Sequence, residues 1–148
     1  MKKINLAISG CLGRMGQQLI KSSKNNKNFK LVALTENKTI SKKIAGIKLD
    51  VNTEQTFKKT DVIIDFTVPN CTLDILKIAS KLKKRVVIGT TGFTQKEENI
   101  IKKFSKKVPI SLNKEQKELL EKFREIENEK SNPSIKKFFQ KAKSFWKN

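Results

Sequence analysis

Between residues 4 and 111, apolar residues come in short blocks separated by polar or glycine-rich breaks. Ile4 to Ser9 is mostly apolar, the pattern of a strand covered on both faces. A glycine-rich turn follows, and Arg14 to Ser23 then places Met15, Leu19 and Ile20 on one face of a helix. Phe29 to Thr35 is predicted as a second strand. Residues 37–51 read as polar and irregular, with a turn at Gly46. Asn52 and Gln55 fit the capping pattern of a short helix ending near Lys59. Asp61 to Phe66 is rich in β-branched residues and predicts a third strand. Asn70 is placed to cap a helix carrying Leu73, Leu76, Ile78, Ala79 and Leu82. Arg85 to Ile88 gives a fourth strand. Thr94 and Glu97 form a capping box for a helix through Ser105, and Val108 to Ser111 gives a fifth strand.

Strands alternating with helices predict an α/β fold of parallel strands with crossover helices. About five strands fit a doubly wound sheet, expected in the order 3-2-1-4-5, whose ligands bind beyond the strand C-termini at the switch point. The turns after Ser9, Thr35, Phe66 and Ile88 would open onto that edge.

From Asn113 the strand pattern stops. Asn113 and Gln116 start a helix carrying Leu119, Leu120, Phe123 and Ile126, with Glu and Lys alternating on its other face. Ser131-Asn132-Pro133 breaks it, and Pro133 suits the first position of a second helix carrying Ile135, Phe138, Phe139, Ala142 and Phe145. The expected organisation is a sheet domain at 1–111 and a tail at 112–148 made of two amphipathic helices. The apolar stripe of such a tail serves either packing on the sheet domain or self-association.

Composition changes this picture little. A length of 148 residues and a hydrophobic content of 36% suit one domain with an appendage. Met1-Lys2-Lys3 followed by apolar residues has the opening of an export signal. The apolar run stops at Ser9-Gly10, so a first strand is the better reading. No run is long enough to cross a membrane as a helix. Cys11 and Cys71 lack metal-ligand spacing and read as reduced thiols of a cytoplasmic protein. The net charge of +19 raises nucleic acid as a partner. Yet only three of the 33 basic residues are arginine, and the lysines are spread along the chain with few aromatics between them. No stacking platform is visible, so no specific nucleic-acid partner is expected.

The candidate chemistry lies in four segments. Gly10-Cys11-Leu12-Gly13-Arg14-Met15-Gly16 is a G-x-x-G-x-x-G between a strand and a helix. Gly10 permits a tight turn, Gly13 lets backbone approach a pyrophosphate, and Gly16 allows close helix packing. The helix N-terminus then offers free N–H groups to phosphate. Glu36, 20 residues past Gly16 at the end of the second strand, stands where a carboxylate accepts from an adenosine ribose. A carboxylate there favours NADH over NADPH, because a 2′-phosphate meets like charge; Lys38 offsets part of this. Asp65-Phe66-Thr67-Val68-Pro69 with Thr72, and Gly89-Thr90-Thr91-Gly92-Phe93, follow predicted strands and supply glycine backbone and threonine hydroxyls. The sheet is therefore read as a Rossmann-type dinucleotide-binding domain.

Together, Gly10 to Gly16, Val62-Ile63-Ile64-Asp65-Phe66-Thr67 with Pro69, and Val87-Ile88-Gly89-Thr90-Thr91-Gly92-Phe93 resemble the signatures of the dihydrodipicolinate reductase family, in that family's order. The resemblance covers residues 3 to about 110. It implies cofactor contacts from Gly10, Cys11, Leu12, Gly13, Arg14 and Met15, from Glu36, from Phe66 and Thr67, and from Gly89, Thr90 and Thr91. It also implies an oxidoreductase of lysine biosynthesis through diaminopimelate, in which hydride passes from NADH or NADPH to a cyclic dicarboxylic imine. Many family members carry arginine just after the Glu36 position, which helps hold NADPH; this chain has Asn37. The family's substrate domain brings a His-His…Lys segment for acid catalysis. This chain contains no histidine, so no catalytic residue is assigned and the chain is expected to bind cofactor without turnover.

Residues 112–148 resemble something else. Leu112 to Phe123, Lys136-Lys137-Phe138-Phe139 and Lys143-Ser144-Phe145 are similar to the C-terminal tail of DnaJ-type co-chaperones, which implies a helical structure associated with dimerisation. Two further readings follow: a truncated or fused chain with a self-associating tail, or a nucleotide-binding interaction module.

Overall fold

The computed structural model describes residues 2–108, all within the first of the two units into which the chain divides, Met1–Pro109. The expected fifth strand at 108–111 and both tail helices lie outside the described residues, except that Val108 ends a helix. The described elements run β1 (Ile4–Ser9), α1 (Arg14–Lys24), β2 (Phe29–Glu36), β3 (Lys43–Ile44), β4 (Ile47–Val51), α2 (Glu54–Phe57), β5 (Val62–Asp65), α3 (Pro69–Leu82), β6 (Arg85–Ile88) and α4 (Gln95–Lys107).

They build a six-stranded sheet in the order β3-β4-β2-β1-β5-β6, parallel except for the β3–β4 hairpin. The expected doubly wound parallel sheet is present, with the short antiparallel β3 added at its edge. Residues 37–51 hold two strands rather than irregular chain. The two-residue turn Ala45-Gly46 has φ of 55° and 78°, the paired left-handed geometry of a tight hairpin. β4 escaped notice because only Leu49 in Ile47–Val51 is fully buried, with charged Lys48 and Asp50 on either side of it. The correction moves 61–66 as well. Counted third in sequence, it occupies the fourth place, directly beside β1. The order 3-2-1-4-5 reappears only when β4 is counted as the third parallel strand.

β1 and β5 form the centre because their residues are apolar on both faces. Leu6, Ala7, Ile8, Ile63 and Ile64 are at most 1% exposed. α1 lies against β1 and β2, and α3 touches α2, β6 and α4. Helix boundaries follow local chemistry. Thr94 and Glu97 make the expected capping box at α4. α2 is capped by Thr53 rather than Asn52, and α3 begins at Pro69, whose fixed φ suits a first helical position, with Val68 rather than Asn70 before it.

Strand register aligns the C-terminal ends. Ser9 pairs with Thr35 on one side and Asp65 on the other, and Asp65 pairs with Ile88. The chain leaves β1 toward β2, then returns to β5 on the opposite side, which makes this edge the switch point of the sheet.

Deleting apolar volume at the middle of β5 leaves a cavity no neighbour can fill without moving the sheet. Ile63→Ala is expected to lower unfolding free energy by about 2–5 kcal/mol in urea denaturation. A loss below about 0.5 kcal/mol would contradict the central position of β5.

Candidate functional site

Four turns meet beyond the strand C-termini, and backbone hydrogen bonds stitch them together. Gly10 N–H donates to the Thr35 carbonyl at 3.0 Å, Phe66 N–H to the Ser9 carbonyl at 3.1 Å, and Gly89 N–H to the Asp65 carbonyl at 2.7 Å. Gly10 has φ of +78°, and a Cβ there would press into the Phe66 carbonyl oxygen. A Cβ at Gly16 would strike the backbone of Gly10 and Cys11. The protein's own packing therefore explains two glycines of the motif. Gly13 is different: a Cβ there would meet only the Gly10 carbonyl oxygen, at an ordinary 3.5 Å. It is exposed.

The N–H groups of this turn are partly committed within the chain. Cys11 N–H donates to the Thr35 carbonyl at 3.3 Å, and Gly13 N–H to the Gly10 carbonyl at 3.2 Å. Leu12 N–H donates to Glu36 Oε1 at 2.7 Å. The first intrahelical bond runs from Gln17 N–H to the Gly13 carbonyl, so Arg14, Met15 and Gly16 have N–H groups with no intrahelical acceptor. The α1 cap position is Gly13, which has no side chain to meet them, and the first turn carries no acidic residue. This positive helix end is open to an anion.

Glu36 lies against that turn, half-buried, from the end of β2. Asn37 and Lys38 after it are exposed. Cys11 turns its side chain into the core, fully buried. Burial first, and then the Glu36 charge, push its thiol up to about 11, against a backbone hydrogen bond and the Lys42 charge. Cys71 is also pushed up, chiefly by burial.

Phe66 and Thr67 are half-buried on the other side of β1, beside half-buried Gly89 and exposed Thr91; Thr90 is buried. The expected contact residues thus share one sheet edge. The side chains of Cys11 and Thr90 face inward, so what they offer a ligand is backbone. Two polar residues organise the edge: Asn52, expected only as a helix cap, and Asp65, which opens the third candidate segment. Asn52 Oδ1 accepts from Ser9 Oγ at 3.0 Å and Thr35 Oγ1 at 2.6 Å, while its Nδ2 donates to Cys71 Sγ at 3.2 Å. Asp65, fully buried, accepts from Thr67, Thr72 and Thr90. Burial pushes its carboxyl above the usual range, opposed by those hydroxyls. The available signal was an acid closing the apolar run Val62–Ile64, with threonines two and seven residues on.

Comparison with known proteins agrees with this geometry. The family described as "Dihydrodipicolinate reductase, N-terminus" matches residues 4–116. The chain belongs to the dihydrodipicolinate reductase family. A 4-hydroxy-tetrahydrodipicolinate reductase of Pelagibacter ubique is 94% identical over 110 residues, which cover 74% of this chain and 43% of that protein. The chain therefore spans well under half the length of this reductase relative. A crystallised dipicolinate-bound dihydrodipicolinate reductase from Paenisporosarcina superposes with a TM-score of 0.57 at 28% identity, over 70% of this chain and 44% of that one. Residues 115–148 match a second family, "Chaperone protein DnaJ C-terminal region". The DnaJ of the same Pelagibacter strain is 95% identical over 41 residues, covering 28% of this chain and 11% of that protein. Among the described residues, no helix is long and apolar enough to cross a membrane.

With Cys11 buried and its thiol pushed up to about 11, iodoacetamide at pH 7.5 is expected to spare Cys11 in the folded protein, to label half-buried Cys71 more slowly than a free thiol, and to label both after denaturation. Labelling should quicken as pH rises toward 11. Rapid labelling of Cys11 at neutral pH would contradict its buried placement.

Proposed function

We infer that residues 1–111 bind a nicotinamide dinucleotide across the switch point, and that the chain is the cofactor-binding part of a reductase of this family. The observation that carries the reading is the 2.7 Å bond from Leu12 N–H to Glu36 Oε1. It fixes a carboxylate beside an uncapped helix N-terminus, which pairs a ribose acceptor with a pyrophosphate donor set. Gly10, Cys11, Leu12, Gly13, Arg14 and Met15 would line the pyrophosphate, with Arg14 and Met15 N–H donating. Glu36 would take the ribose hydroxyls. Phe66, Thr67, Gly89, Thr90 and Thr91, across β1, would hold the nicotinamide end.

NADH suits this site better than NADPH. Glu36 is held close to the turn, and the exposed residue that follows is the uncharged Asn37. A 2′-phosphate would approach a fixed carboxylate with only flexible lysines to offset it. Bound NADH would supply hydride. The chain's own contribution is capture and orientation, because its 148 residues include no histidine to deliver the accompanying proton. Turnover on a cyclic dicarboxylic imine is thus not expected from this chain alone.

The 95% match to a DnaJ C-terminal region favours a second role for residues 112–148, self-association of the chain through the tail. Light scattering across concentration reads this directly; a monomer throughout the micromolar range would exclude it.

Isothermal titration is expected to show NADH binding about tenfold tighter than NADPH, a difference of about 1.4 kcal/mol. Glu36→Gln should weaken NADH and narrow that ratio. No heat from either dinucleotide with folded protein would overturn the reading, and imine-dependent oxidation of NADH by the pure chain would overturn its inactivity.

A further inference from the structure

Asp65 is the one acid among the fully buried residues described, and it closes an otherwise apolar strand. Its donors are all neutral. Oδ1 accepts from Thr67 N–H at 3.1 Å and Thr67 Oγ1 at 2.6 Å. Oδ2 accepts from Thr72 Oγ1, in the first turn of α3, and from Thr90 Oγ1 at 3.3 Å. Thr90 Oγ1 in turn accepts from Thr67 N–H at 3.0 Å. The Asp65 carbonyl takes Gly89 N–H. One side chain therefore holds the loop after β5, the start of α3 and the loop after β6.

Burying a carboxylate without a cation is costly, and an apolar side chain at the end of β5 would hold the core at lower cost. What an apolar side chain cannot do is direct three hydroxyls and an amide toward one point. Each threonine hydroxyl has a single proton: Thr72 and Thr90 direct theirs to Asp65, and Thr67 Oγ1 lies 2.6 Å from Asp65 Oδ1 against 3.4 Å from the Val68 carbonyl. The loops are thereby set in position before any ligand arrives.

We propose that Asp65 is a positioning residue that locks the 66–68 and 89–91 loops into one preformed unit for the nicotinamide end of the cofactor, while the glycine turn and Glu36 work independently of it. This rests on the dinucleotide reading above. It differs from a general structural role in what it predicts. A residue that merely stabilises the domain weakens every ligand alike. A residue that sets these two loops weakens NADH and spares ADP-ribose, which keeps the adenosine and pyrophosphate and lacks the nicotinamide.

The experiment measures NADH and ADP-ribose affinity on the full chain, for wild type and Asp65→Asn. The asparagine keeps the shape and Oδ1 but replaces the acceptor facing Thr72 and Thr90 with a donor. NADH should bind at least tenfold more weakly, and ADP-ribose within threefold of wild type. Thr72→Val, which removes one hydroxyl outside the ligand-facing loops, should give a smaller change with the same split, and Thr72→Ser should reverse it. Should Asp65→Asn fail to fold, the Thr72 pair decides. Equal weakening of both ligands, or wild-type NADH affinity in folded variants, would overturn the positioning role. Wild type that binds neither ligand would instead overturn the dinucleotide reading, and this proposal with it.

Discussion

Gly10 and the Phe66 carbonyl share a space that a single methyl group would close. That approach is possible because β1 and β5 are adjacent and in register, Ser9 opposite Asp65, so the turns that follow start level with each other. The glycine turn then rests on the next loop, α1 packs back on the turn through Gly16, and Glu36 reaches Leu12 N–H from the other side. A one-residue slip of β5 would swap the two buried faces of Val62–Asp65, break their packing and move the acid away from Ser9. Register at the central pair is thus a condition for every contact at the ligand edge.

The strands and helices that could be read from the chain were those with strong, uninterrupted patterning. β1, β2, β5 and β6 carry apolar blocks because they are buried, and α4 announces itself through Thr94 and Glu97. β4 was hidden because it lies toward the polar side of the sheet and has one fully buried residue, Leu49. A pattern with one such position cannot be told from a loop. Its loss cost the strand order, since everything after it was counted one place early. The glycine motif and Glu36 were legible because their spacing is set by the ligand chemistry of this fold class. Asp65 was legible as the start of its segment but not as the shared acceptor of three threonines, and Asn52 was not legible as a site residue at all. Asn52 satisfies local capping rules on paper, yet its partners are Ser9, Thr35 and Cys71, up to 43 residues distant. Long-range polar pairing leaves no periodic trace.

The chain is best understood as two segments with separate relatives. One stretch of 110 residues is 94% identical to a reductase, and another of 41 residues is 95% identical to a DnaJ, of the same Pelagibacter strain.

Hydrogen-bond accounting narrows what the glycine turn can do. A count of N–H groups from the motif alone offers a ligand every residue from Gly10 to Gly16. In the folded chain the N–H groups of Gly10, Cys11, Leu12 and Gly13 are committed to Thr35, Thr35, Glu36 and Gly10. Those bonds shape the turn, and the donors left over belong to Arg14, Met15 and Gly16 at the start of α1. The N–H groups without an acceptor in the chain thus lie at the helix end rather than in the turn. The turn's contribution is Gly13, whose missing side chain leaves that helix end uncovered, and its anchor is Glu36, whose carboxylate holds Leu12 N–H. The acid thus has a structural task within the turn itself.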